Sequence, residues 1–302
     1  MICAFTMGAC SDDHEALTRT TEPTAVVSTS HTVSTLESAP DPVAGRPFDV
    51  YVPFAYDGIA ALPLVILLHG FGVTGAMQDD FLRLRGLAES RRYLMVSPDG
   101  TRNPDGAPFW NATDACCGFG ATVDDSAYLA AVIQQVQSDY VVDAQKVFVV
   151  GFSNGGFMAY RMACDHADLI AGIVSISAAT FLDTARCTPT SPVNVVEVHG
   201  TNDETITYEG GTFEGTAHPG AEQTVAAWAA YNGCAISPET TLAALDLDRT
   251  LIGNETSVTR YQNCPAGGAV ELWTIAGGEH VPEPSSSFSE QVIDYLLAHP
   301  KP

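Results

Sequence analysis

Continuous apolar runs alternate with amphipathic stretches along most of the chain. Positions 64–68, 146–150, 169–177, 193–198 and 270–275 are rich in Val, Ile and Leu, and read as strands buried on both faces of a sheet. Positions 47–53 alternate like a half-exposed strand, and 93–97 form a shorter one. Helix-like periodicity falls near 78–90, 125–138, 154–164, 221–231 and 287–298. Strands alternating with helices predict an α/β protein with a mostly parallel central sheet and helices on both faces. Three stretches break the rhythm: a Gly/Asn/Pro-rich loop at 101–122, a Gly-rich loop at 209–220, and an irregular region at 232–268.

The strand at 146–150 ends in Gly151-Phe152-Ser153-Asn154-Gly155, followed by Gly156 and a helix-like segment. G-x-S-x-G between a buried strand and a helix is a nucleophile elbow, a sharp turn that exposes the serine hydroxyl. A serine needs a base, and the base needs an orienting acid. On this fold they follow in the order serine, acid, histidine. His280 lies one short glycine turn beyond the strand at 270–275, and Asp203 follows the strand at 193–198. Both sit where a parallel sheet gathers its reactive groups, at the carboxyl ends of strands. The oxyanion would be held by the backbone N–H groups of Asn154 and of Phe71, in the loop after the strand at 64–68. His69 reads as a structural histidine. Trp110, in the long loop, reads equally well as a substrate platform or as core.

Composition narrows the partners. The chain carries 36 acids against 13 bases, a net charge of −23. Its first forty residues hold five acids and one base, so the acidity belongs to the domain. No basic patch exists to bind nucleic acid. Cysteines stand at 3, 10, 116, 117, 164, 187, 234 and 264, without C-x-x-C or zinc-ligand spacing, so no metal is expected. The six beyond the leader favour disulfides and an oxidising compartment. The favoured pairing is Cys164 with Cys187 and Cys234 with Cys264. Cys116 and Cys117 then either bond to each other or pair elsewhere. Residues 1–10 end in Met7-Gly8-Ala9-Cys10, which resembles a lipobox, the remnant of an export signal. A lipid on Cys10 would attach the chain to a membrane, and plain secretion is the alternative. Residues 11–41 have linker composition, which leaves 42–302 as the domain.

Taken together, these stretches resemble a known family. Leu68-His69-Gly70, Phe109-Trp110-Asn111, Cys116-Cys117-Gly118, Val123-Asp124-Asp125, the elbow, His199-Gly200-Thr201-Asn202-Asp203 with Tyr208, and Gly277-Gly278-Glu279-His280 occur in the right order. The chain is similar to the esterases that join polyhydroxybutyrate depolymerases with feruloyl and acetylxylan esterases, carbohydrate esterase family 1 of the α/β-hydrolases. The resemblance implies Ser153, Asp203 and His280 as triad, no cofactor, and ester bonds as targets. Tyr208 joins Trp110 as a candidate substrate contact. The family often continues Trp-Pro-Gly after its histidine, where this chain has Val281-Pro282-Glu283. Fewer than twenty residues separate the strands at 169–177 and 193–198, too few for a helical cap. The expectation is a monomeric, uncapped α/β-hydrolase acting on bulky or polymeric esters. A peptidase on the same fold and a non-catalytic binding module are its rivals.

Overall fold

In the computed structural model, which describes residue 43 and residues 45–118 and 120–302, the apolar runs form the middle of a nine-stranded sheet. The expected export signal and linker lie outside the described residues. In chain order the first elements are β1 (Val50–Tyr51), β2 (Leu62–Leu68), α1 (Gly75–Leu82), α2 (Arg85–Arg91), β3 (Leu94–Val96), β4 (Thr101–Arg102) and β5 (Pro108–Phe109). Next come α3 (Asp125–Asp139), β6 (Val142–Phe152), α4 (Asn154–Asp165), β7 (Gly172–Ile176), β8 (Asn194–Gly200), β9 (Gly210–Phe213) and β10 (Thr216–Pro219). The last are α5 (Ala221–Asn232), β11 (Glu239–Leu245), β12 (Thr256–Arg260), β13 (Val270–Ile275) and α6 (Phe288–Ala298).

The sheet order is β1-β3-β2-β6-β7-β8-β13-β12-β11. From β3 to β13 every neighbouring pair is parallel. Antiparallel strands close both edges, β1 on one side and β12 with β11 on the other. Side chains alternate across the sheet, as strand geometry requires. Leu64, Ile66 and Leu68 of β2 pack on one face with residues of α3, α4 and α5. Val65 and Leu67 pack on the other with residues of α6 and of the helical segment around Leu82, Leu84 and Ala88. This is the α/β-hydrolase arrangement expected from the sequence. Between β7 and β8 the described chain forms a single 3₁₀ turn, Thr184–Arg186, and no cap.

Three local expectations change. The helix expected at 78–90 is two helices, because Arg83 adopts a left-handed φ of 56° and the Asp79 carboxylate accepts the Arg85 N–H at 2.9 Å. The Gly-rich loop at 209–220 is the hairpin β9–β10. Glu214 and Gly215 at its tip both have positive φ, 49° and 85°, the combination that a two-residue hairpin turn demands. The irregular region at 232–268 contains β11 and β12. Most of β11 faces solvent, so no apolar alternation betrayed it.

The sulfurs pair as Cys164–Cys187, Cys234–Cys264 and Cys116–Cys117. The first ties the end of α4 to the turn before β8. The second ties the chain beyond α5 to the approach to β13.

Candidate active site

Ser153 lies between β6 and α4 with φ 51° and ψ −119°, a conformation that L-residues rarely adopt. Its N–H donates to Ile176 O at 2.8 Å, which anchors the turn to β7. The flanking glycines make the turn possible. A β-carbon at Gly151 would run into the Gly155 carbonyl, and one at Gly155 into the Leu68 carbonyl. Two strands along, the loop after β8 brings Asp203, and the next strand, β13, brings His280 to the same end of the sheet.

Ser153 Oγ lies 3.0 Å from His280 Nε2, and His280 Nδ1 lies 2.8 Å from Asp203 Oδ2. With the Nδ1 proton donated to the carboxylate, Nε2 is left to accept from the serine hydroxyl. The other carboxylate oxygen of Asp203 accepts the N–H groups of Thr205 and Ile206, both at 2.8 Å. Burial alone would raise the pKa of Asp203, but hydrogen bonds from His199 and His280 hold its carboxyl well below the usual carboxylate range. The arrangement supplies a nucleophile, a base within reach of it, and a fixed acid behind the base.

The oxyanion positions lie beside the serine. Asn154 opens α4, where backbone N–H groups point out of the helix end. Its side chain is buried, accepting from Trp110 N at 2.7 Å and donating to Trp110 O at 2.9 Å. Phe71 lines the cleft wall together with Ser153. The N–H groups on either side of it are engaged, Gly70 with Gln78 Oε1 at 3.1 Å and Gly72 with Pro108 O at 2.8 Å. Gln78 therefore braces the loop that carries Phe71, a role the sequence did not reveal.

Of the two aromatic substrate candidates, Trp110 takes its core alternative and Tyr208 is corrected. Trp110 is fully buried, and its indole N–H donates to His69 O at 3.1 Å. It is core, locking the long loop to the β2 loop and to the start of α4. Tyr208 is also buried, with its hydroxyl 2.9 Å from Thr274 Oγ1 and its ring edge-on to His199. The cleft, about 810 Å³, is walled instead by Phe71, Met77, Phe81, Phe152, Phe213 and Val281. Glu214 and His280 are its ionisable side chains. Sequence offered no signal for these walls, because they come from separate loops that the fold assembles.

The structural reading of His69 agrees with its surroundings. It is buried, Nδ1 lies 2.7 Å from Gly70 O, and Nε2 accepts the Gly100 N–H at 2.8 Å. Burial pushes its affinity for a proton down, as suits a neutral ring with one donor and one acceptor. Asp125, from the Val-Asp-Asp stretch, is scaffold too. Its carboxylate accepts the Asn111 N–H at 2.7 Å and pairs with Arg46. Among the described residues no group of three or more His, Cys, Asp or Glu side chains could hold a metal ion, and no helix is long and apolar enough to cross a membrane.

The family described as phospholipase/carboxylesterase matches residues 58–219. Among curated proteins, feruloyl esterase B of Piromyces equi is 28% identical over 239 residues, covering 76% of this chain and 42% of that protein. A probable feruloyl esterase C of Aspergillus niger is 26% identical over 183 residues, covering 59% of this chain and 62% of that protein. The chain thus spans less than two thirds of the length of these curated relatives. Among solved structures, an acetyl xylan esterase from Aspergillus awamori superposes with a TM-score of 0.60 at 18% identity, over 85% of this chain and 95% of that one. That likeness speaks for the fold.

Proposed function

The chain belongs to the phospholipase/carboxylesterase family, as an α/β-hydrolase of the feruloyl and acetylxylan esterase type, and from that premise we propose that it is an exported serine esterase acting on bulky or polymeric carboxylic esters. The observation that carries the reading is the continuous hydrogen-bonded line from Ser153 through His280 to Asp203 at the mouth of an open cleft. Ser153 attacks the ester carbonyl while His280 Nε2 takes its proton. Asp203 stabilises the imidazolium that forms. The backbone N–H groups of Asn154 and Phe71 receive the negative charge on the carbonyl oxygen. His280 then returns the proton to the leaving alcohol, and a water activated the same way releases the acid from the acyl-serine. Ester hydrolysis by this route needs no cofactor.

The cleft walls suggest the kind of ester. Four phenylalanines, a methionine and Val281 favour an apolar or aromatic group next to the scissile bond. Among the described residues no Lys or Arg lines the cleft to neutralise a carboxylate carried by the substrate. Phe71, Met77 and Val281 are also exposed, which extends the apolar surface past the rim. With no cap between β7 and β8, a polymer could lie across that rim. Val281, half exposed, forms part of that rim. The disulfides support export. Lipid attachment through Cys10 remains an alternative mode of export.

Hydrolysis of a panel containing p-nitrophenyl acetate, methyl ferulate, acetylated xylan, polyhydroxybutyrate and aromatic polyester film tests the reading. Turnover of at least one bulky ester is expected, without a rate jump at a triglyceride interface. Cleavage of amides with no ester turnover would favour the peptidase. A protein that binds polysaccharide and turns over none of the panel would be a binding module.

A further inference from the structure

Behind Asp203 lies a second imidazole that the triad does not use. His199, near the end of β8, is fully buried. Its Nδ1 lies 2.9 Å from Glu197 Oε1. Its Nε2 lies 2.7 Å from Ile206 O and 3.2 Å from Asp203 Oδ2. A backbone carbonyl and an ionised carboxylate only accept. Glu197 in turn receives the Ala178 N–H at 3.1 Å and the Tyr160 hydroxyl at 2.8 Å. An imidazole with acceptors at both nitrogens carries two protons. One oxygen, Asp203 Oδ2, therefore stands between two histidines, His280 at 2.8 Å and His199 at 3.2 Å.

We propose that His199 is a doubly protonated positioning residue, which holds the Asp203 carboxylate in place and offsets part of the negative charge that Asp203 presents to His280. The inference rests on the reading of Ser153, His280 and Asp203 as triad. Two cations sharing one carboxylate oxygen disfavour each other. With His199 already charged, Asp203 Oδ2 offers a second cation at His280 less than a lone carboxylate would. A lone carboxylate in the same place would orient His280 but would also draw a proton onto it.

The surroundings of His199 favour the charge. Burial opposes it, but the hydrogen bonds that the ring donates to Asp203 and Glu197 outweigh burial and raise its pKa to about 10. The groups facing it are Glu197 from its own strand, Asp203 from the loop beyond, and the edge-on Tyr208 ring. Tyr160 from α4 reaches it through Glu197, and its hydroxyl is held protonated by burial. His218 from β10 has its proton affinity lowered, first by burial and further by the positive charge of His199. Glu209 and Glu222 act on Tyr208. Among the described residues these leave His199 between the buried carboxyl groups of Glu197 and Asp203.

Two measurements on the full chain test the proposal. In protein labelled with ¹⁵N-histidine, both ring nitrogens of His199 should stay protonated from pH 5 to pH 8.5. A single protonated nitrogen at pH 7 would overturn the idea. The second is the pH profile of kcat/KM for His199→Gln and for the double variant Glu197→Gln with His199→Gln. The single variant leaves Glu197 buried without its cation and can fail to fold, whereas the double variant removes both charges. The acid limb should move up by about one pH unit in the single variant and by less in the double. A folded double variant whose acid limb matches wild type would show that His199 is a structural residue alone. If Ser153→Ala kept full hydrolysis, the triad reading would fall instead, and the ¹⁵N measurement would still decide the charge on His199.

Discussion

On one side of Ser153, His280, Asp203, His199 and Glu197 form a buried chain in which each polar contact has a partner. On the other, Phe71, Phe81, Phe152, Phe213 and Val281 face an open cleft with few polar groups. The first side is held by counted donors and acceptors, so removing one member strands a buried group at a cost of several kcal/mol. The second is held by shape, where losing a ring weakens contact without stranding anything. The polar side should therefore fail sharply under mutation, and the apolar side should change gradually.

The largest effect should come from the polar side. Ser153→Ala or His280→Ala should lower kcat on p-nitrophenyl acetate by about 10⁴-fold or more, because triad members act as a unit. Ser153→Ala should keep a melting temperature close to wild type, whereas His280→Ala, which strands the Asp203 carboxylate, should lower it. Asp203→Asn should cost somewhat less. A His280→Ala protein that keeps more than a few per cent of its activity would move the base elsewhere.

Next comes Trp110, which separates core from cleft. Trp110→Ala should destabilise the fold by about 3–5 kcal/mol, read by urea unfolding, since it empties a buried site tied to His69 and Asn154. A variant that unfolds normally but has a raised KM for methyl ferulate would put Trp110 back in the cleft.

Stability against pH tests the buried chain without substrate. The folded pKa of His199 lies above its unfolded value, about 6.5. Its contribution is therefore fully present below that value and is lost as pH rises towards 10. Asp203 works in the opposite sense. Its depressed folded value gives stability above pH 4 that is lost as the solution becomes strongly acid. Unfolding free energies that stay level from pH 6.5 to 10 would contradict a charged His199.

The apolar side should give smaller changes. Phe213→Ala should raise KM for methyl ferulate by about 5-fold, and less for p-nitrophenyl acetate, which is too small to reach the hairpin. Equal effects on both would place Phe213 outside the binding surface. Glu214, exposed at the hairpin tip, should matter least. Glu214→Gln should raise kcat/KM by about 2–5-fold for an aromatic half-ester bearing a free carboxylate and leave the matching diester unchanged. An equal gain on both would mean that charge is not what the rim reads.

The same division governs what the sequence disclosed. Ser153, Asp203 and His280 each come shortly after an apolar strand, so the strand pattern with the G-x-S-x-G turn placed them at one end of the sheet. The parallel middle of the sheet was legible for the same reason. Tyr208 was misplaced, and Trp110 was left open between cleft and core, because an aromatic residue in a loop carries no sign of the direction its ring will take. His199 sat within a recognised stretch, yet its work depends on Glu197 and Ile206, whose approach only folding creates. Gln78 was hidden likewise, as a helical residue whose side chain turns inward to Gly70. β11 escaped because an edge strand facing solvent shows no apolar period.

The most direct measurement is active-site labelling by a fluorophosphonate, read by mass spectrometry of the digested protein. One adduct per chain, on the peptide carrying Ser153, with simultaneous loss of ester hydrolysis and far slower labelling in His280→Ala, is the expected result. Full ester hydrolysis after exposure to the reagent, or an adduct on another residue, would contradict Ser153 as the nucleophile.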